Sequence, residues 1–154
     1  MQDWINNIWQ PAGESSDMWE SIRFALVLDK KYEDFELTMI GHSKGGGEAI
    51  ANAIATGRKA ITFNPMHPNL VLYGLDASTY DDNKMTHYIV KEEILMNYLG
   101  IPYYGETILL EPWYETPLML RSSFLFTYSG IRNHLMPTMI AALRDYFEKM
   151  QCPE

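Results

Sequence analysis

Cysteine occurs once in this chain, at Cys152. A single thiol forms no internal disulfide and no cysteine-rich metal cluster, so a reducing compartment, the cytoplasm, is the expectation. Basic residues are also few: 12 Lys and Arg against 20 Asp and Glu leave a formal charge of −8. That balance excludes the basic footprint with which proteins grip nucleic acid. No apolar run approaches the roughly 20 residues that span a bilayer as a helix. The opening "MQDWINNIWQ" has neither the basic start nor the apolar stretch of a signal peptide. Repeats, low-complexity tracts and linkers are missing as well, so the 154 residues read as one domain large enough to bury a core.

What is present is soft and apolar: 47% hydrophobic residues, with 10 Met and 13% aromatics, suits an adaptable core or an apolar binding surface. The segment "SSDMWESIRFALVLDKKY" carries Met18, Ile22, Ala25 and Leu26 at helical spacing behind a Ser16 or Asp17 cap. "ELTMIGH" reads as a strand, residues 45–57 as a helix of small residues stopping at Gly57, and "KAITFNP" as a second strand closed by Asn64-Pro65. Residues 65–85 read as a long loop of the length that often carries function. "MTHYIVK" and "ETILLEP" read as third and fourth strands. The tail "HLMPTMIAALRDYFEKM" aligns Leu135, Met139, Ile140, Leu143, Tyr146, Phe147 and Met150 on one helical face. Strands alternating with helices predict an α/β fold, its sheet largely parallel around residue 43, with flanking helices.

Between the first strand and its helix lies Gly41-His42-Ser43-Lys44-Gly45, a G-x-S-x-G match at a strand-to-helix turn. Such a turn lifts a serine clear of the sheet, and Gly41 and Gly45 are read as relieving the contact between strand and helix. A serine hydroxyl becomes a useful nucleophile only when a base takes its proton. The backbone N–H of Lys44, at the helix start, is placed to donate to a developing oxyanion.

The stretch "TMIGHSKGGGEAIANAIATGRKAITFNP" resembles the nucleophile region of the lipase class 3-like branch of the α/β-hydrolase fold, where G-H-S-x-G-G precedes a small-residue helix and an apolar strand. "MQDW", "THYIVKEE", "GETILLEP" and "NHLMPTMI" are similar to further segments of that family. The resemblance implies a partial α/β-hydrolase sheet and a serine esterase or lipase acting on an ester or lipid substrate, with no metal or organic cofactor. It also implies an acid and then a histidine following the serine in the chain. His134, after the last strand and opening the terminal helix, is the expected base. His42 beside the serine is expected to point away and serve packing or hydrogen bonding, and His67 and His87 are expected to be structural. Glu93, just after the third strand, is the expected acid, with Glu92, Asp76, Asp81 and Asp82 as alternatives. An adjacent pair of glutamates also reads as a solvated helix start. Residues 112–132, with Trp113, Tyr114, Leu118, Met119, Leu120, Phe124, Leu125 and Phe126, read either as an apolar wall for acyl chains or as ordinary core.

The family's second oxyanion N–H comes from a loop after an earlier strand, upstream of the segment that "MQDW" resembles. The expectation is therefore a fold short of several N-terminal strands, with weak or lost activity. A sheet cut short presents an unpaired edge, and a homo-oligomer is expected to cover it. A non-catalytic binding or assembly domain of the same fold is the competing expectation. An amidase or thioesterase would share the same three residues.

Overall fold

The computed structural model describes residues 15–102, 104–115, 117, 119 and 124–151, with the side chains of 124–126 left aside. The Asp3-Trp4 segment, Trp9, Leu118, Leu120 and Cys152 lie outside the described residues, as do the side chains of Phe124, Leu125 and Phe126.

Four short strands, β1 (Thr38–His42), β2 (Lys59–Phe63), β3 (Met85–Val90) and β4 (Glu106–Leu110), form one sheet in the order β1-β2-β3-β4. Every neighbouring pair is parallel, with Ile40 opposite Ile61, Ala60 opposite Met85 and Tyr88 opposite Ile108. The fold is thus an α/β sheet with helices on both faces.

Helix α1 (Ser16–Lys31) and helix α2 (Lys44–Thr56) cover one face, α2 on β1 and β2 and α1 on α2. Small side chains allow this stacking: Gly46, Gly47, Ala49, Ala51 and Ala53 are buried along α2, with Ile50 the one large buried residue. Gly57 ends α2 in the left-handed region at φ 70°, a conformation that glycine adopts without a Cβ penalty. Met18, Ile22 and Ala25 of α1 are buried, but Leu26 is exposed, contrary to the sequence reading. The stripe that meets α2 is one side chain narrower than the helical spacing allows.

The other face is covered by helix α5 (Met136–Gln151), whose Met139 and Ala142 pack with Val90, Leu110, Phe63 and Tyr88. Leu135, Ile140, Phe147 and Met150, assigned to the same buried face from sequence, are exposed. α5 lies against β3 and β4, so its apolar stripe is wider than the strand surface beneath it.

Helix α3 (Ile94–Leu99), read from sequence only as a helix start at the glutamate pair, and helix α4 (Phe124–His134), which the sequence reading did not include, complete the described helices. α3 is only six residues long, too short to display a period. The 65–85 segment holds three single 3₁₀ turns, Leu70–Tyr73, Ala77–Thr79 and Asp82–Lys84. Leu70 and Tyr73 anchor the first in the core, and Asp76 and Asp81 cap the other two by accepting the N–H two residues on. No helix among the described residues is long and apolar enough to cross a membrane.

Candidate active site

The site lies beyond the carboxyl ends of β1, β2 and β3. Ser43 occupies the single residue between β1 and α2, at φ 56° and ψ −124°. A non-glycine residue in this region costs of the order of 1–3 kcal/mol and persists only where its surroundings hold it. Here its N–H donates to the Phe63 carbonyl at 3.1 Å, and its own carbonyl accepts from Gly47 N at 3.1 Å and Met66 N at 3.0 Å.

The glycines around it play different parts from those read in the sequence. A Cβ on Gly41 would sit 2.0 Å from the Gly45 carbonyl oxygen, so β1 and α2 approach too closely there for any side chain. A Cβ on Gly45 would meet nothing within 4 Å. Gly45 therefore contributes its backbone to the close approach and needs no missing side chain of its own. Gly46 is the second tight position, with Pro65 at 2.9 Å from a Cβ built there.

His134 closes α4 rather than opening the terminal helix, which begins two residues later at Met136. Its Nε2 lies 2.8 Å from Ser43 Oγ and its Nδ1 lies 2.6 Å from Glu93 Oε2. Glu93 is 1% exposed and His134 is fully buried. Glu93 does start a helix, as an adjacent glutamate pair suggests, but it is a buried N-cap rather than a solvated one. Its Oε2 accepts from Leu95 N at 2.9 Å and its Oε1 from Met96 N. A carboxylate that already accepts two backbone N–H bonds is an acceptor toward the ring as well, so Nδ1 of His134 carries the proton and donates. That leaves Nε2 as the acceptor of the Ser43 hydroxyl.

Three of the alternative acids, Asp76, Asp81 and Asp82, are engaged elsewhere. Asp76 and Asp81 cap exposed turns, and Asp82 accepts from Gly105 N at 3.2 Å. The turn in the chain at Glu92, φ 61°, is what carries Glu93 inward from the end of β3. Lys44 begins α2, so its N–H is among those a helix leaves without an intrahelical partner. Its ammonium is turned toward Asp17 of α1, 2.5 Å away, and that ion pair raises the lysine pKa and lowers the aspartate's.

His87 is fully buried, its Nδ1 2.6 Å from Thr62 Oγ1 and its Nε2 2.8 Å from the Tyr104 carbonyl, and burial pushes its pKa down. His67 is half-buried and its pKa is likewise lowered by burial. In the 112–132 segment Trp113 and Met119 are exposed, while the Tyr114 backbone is bridged to the Asn133 side chain and its ring lies 3.9 Å from the Arg132 guanidinium. Leu118, Leu120 and the side chains of Phe124, Leu125 and Phe126, on which the wall and core readings also rest, lie outside the described residues. Among the described residues, no group of three or more His, Cys, Asp or Glu side chains could hold a metal ion.

Two residues around this site had no assignment from the sequence. Asn64, fully buried with φ 40°, accepts from Val90 N at 2.9 Å through Oδ1 and donates through Nδ2 to the carbonyls of Asn133 and His134 at 3.2 and 3.3 Å. Asn133, also fully buried, fixes the Tyr114 backbone to the end of α4. Their only sequence signals are an Asn-Pro pair after a strand and an asparagine next to a histidine.

The site thus joins a serine on a strand-to-helix turn of a parallel α/β sheet to a buried histidine. Residues 1–98 match the Phospholipase-like family, described as the Tle-like phospholipase domain, and the chain belongs to that family. An extracellular phospholipase A1 from Serratia liquefaciens is 36% identical to it over 63 residues, which is 41% of this chain and 20% of that protein. The chain thus matches about a fifth of the length of this curated relative.

Proposed function

We propose that the protein is a serine-dependent carboxylic ester hydrolase that cleaves an acyl ester of a phospholipid. The family and the name of the Serratia relative support the lipid substrate, and the class 3-like pattern of the GHSKGG turn fits the same chemistry. The observation that carries the reading is the hydrogen-bonded relay from Ser43 Oγ to His134 Nε2 and from Nδ1 to Glu93.

In this mechanism Ser43 Oγ attacks the ester carbonyl carbon as its proton passes to His134 Nε2. The imidazolium so formed is stabilised by Glu93 through the Nδ1–H bond, both side chains being buried. The oxyanion accepts from the Lys44 N–H, assisted by the positive end of α2. Collapse returns the Nε2 proton to the departing alcohol oxygen and leaves an acyl group on Ser43. Water then attacks the acyl carbonyl carbon as one of its protons passes to Nε2, and collapse breaks the bond to Ser43 Oγ, which takes back the Nε2 proton as the fatty acid leaves.

The test is fatty-acid release from phosphatidylcholine mixed micelles, together with fluorophosphonate labelling. Ser43→Ala should lower turnover on the order of 10⁴-fold or more and abolish labelling. Turnover that survives in this variant would end the assignment.

A further inference from the structure

His42 immediately precedes the nucleophile, and its side chain leaves β1 on the face shared with Phe63, away from α2. Its Nε2 lies 2.7 Å from the backbone carbonyl oxygen of His134. A carbonyl only accepts, so His42 carries a proton on Nε2 and donates it. The same carbonyl receives the Asn64 amide at 3.3 Å. As the last residue of α4, His134 has one of the carbonyls that a helix end leaves without an intrahelical N–H. Donors from the ends of β1 and β2 fill that place. The two imidazole rings also lie against each other, with centroids 5.0 Å apart and planes tilted by 40°.

We propose that His42 is a positioning residue for His134: its Nε2–H, with the Asn64 amide, fixes the backbone from which the His134 ring projects, and its own ring limits that imidazole to the rotamer spanning Ser43 and Glu93. The proposal rests on the hydrolase reading above for its catalytic consequence, but the positioning itself does not depend on turnover. α4 carries His134, whereas the β1–α2 turn carries Ser43 and the β3–α3 turn carries Glu93. Without a tie between α4 and the strand ends, the three side chains would depend on helix packing alone for their sub-ångström registration. A misplacement of about 1 Å at a reacting centre can cost roughly 10²-fold in rate. Burial supports the assignment, because it lowers the His42 pKa and keeps that ring neutral beside the histidine that must take up a proton.

Two substitutions separate the hydrogen bond from simple packing. His42→Phe keeps a ring of similar size and removes the donor, whereas His42→Gln retains an N–H donor. His42→Phe is expected to lower kcat roughly 10- to 100-fold while KM stays near its original value, with His42→Gln recovering most of the loss. Nitrogen NMR of the His134 imidazole supplies a readout that needs no substrate. The native ring should show one tautomer, protonated at Nδ1, and His42→Phe should show mixed tautomers or a second ring environment while thermal stability is maintained. If the native protein hydrolyses ester and His42→Phe matches it in kcat and in its ring signals, the positioning role is overturned and the hydrolase reading stands. If no form hydrolyses ester, the hydrolase reading falls and the ring signals alone decide: altered in His42→Phe they uphold the positioning role, and unchanged they end it.

Discussion

Individual side chains around this site are polar, buried and fully occupied. Thr62, Asn64, His87, Asn133 and His134 show no exposure at all, and each has partners that fix its orientation. Burial of this kind has a consequence for titration. His42, His67 and His87 all have pKa values pushed below the ordinary histidine value by desolvation. In the unfolded chain the same residues bind protons near pH 6.5. Between that value and the depressed folded values, the unfolded state therefore holds more protons, and stability falls as pH falls. Above about pH 6.5 this contribution is flat. Glu48 acts in the opposite sense, since burial raises its pKa, but that effect begins nearer the carboxylate range. The urea midpoint should thus drop between pH 7.5 and 5.5, and a midpoint that holds or rises across this interval would show that these histidines do not govern it.

Among elements, the contact of β1 with α2 sets the geometry of the nucleophile. Its limiting distance is the 2.0 Å that a Cβ on Gly41 would leave to the Gly45 carbonyl. Backbone atoms stand in the way, so no rotamer change relieves the clash, and the strands and helix would have to separate. Gly41→Ala is expected to cost several kcal/mol, at or beyond the upper end of the roughly 1–3 kcal/mol typical of overpacking. Gly45→Ala places its methyl in open space and replaces a residue that disfavours helix by about 0.8–1 kcal/mol. It should leave the thermal midpoint unchanged or raise it by a few degrees. Thermal melts of the two variants check the pair. Equal behaviour would mean that the turn adapts to either methyl group.

For the molecule as a whole, the sheet has one edge that stands out. Among the described residues β1 pairs with β2 alone, and its Ile40 is 65% exposed. Phe24 and Val27 of α1, and Phe35 in the turn that leads to β1, are exposed as well. An edge strand with free N–H and C=O groups and apolar neighbours pairs readily with another strand. A second copy offers an identical edge, and antiparallel pairing of β1 with its symmetry mate would satisfy both sets of groups. On this proposal light scattering returns twice the mass of one chain, and Ile40→Lys returns the monomer. A monomeric native protein would remove it.

The sequence by itself determined the elements whose signals are local. An apolar run followed by small residues and Gly57 specifies β1 and α2, because strand burial, helix propensity and a left-handed cap act within a few residues of each other. The four strands, and a sheet largely parallel around residue 43, were legible for the same reason, whereas the order of the strands was not. Ser43 could be picked out because its turn chemistry is contained in five residues. His134 and Glu93 could be nominated by chain order, but their meeting is a tertiary event: they lie 41 residues apart and come within 2.6 Å only after α4 docks against α3. The buried state of Glu93 was invisible, since a glutamate pair at a helix start is solvated or buried according to what packs over it. Gly45 looked equivalent to Gly41 because a motif records the absence of a side chain and not the direction in which it would point. The Asn64 and His42 donors on the His134 carbonyl belong wholly to the tertiary structure. They meet the carbonyl at the end of α4, 92 residues beyond His42 in the chain, and no local pattern carries that contact.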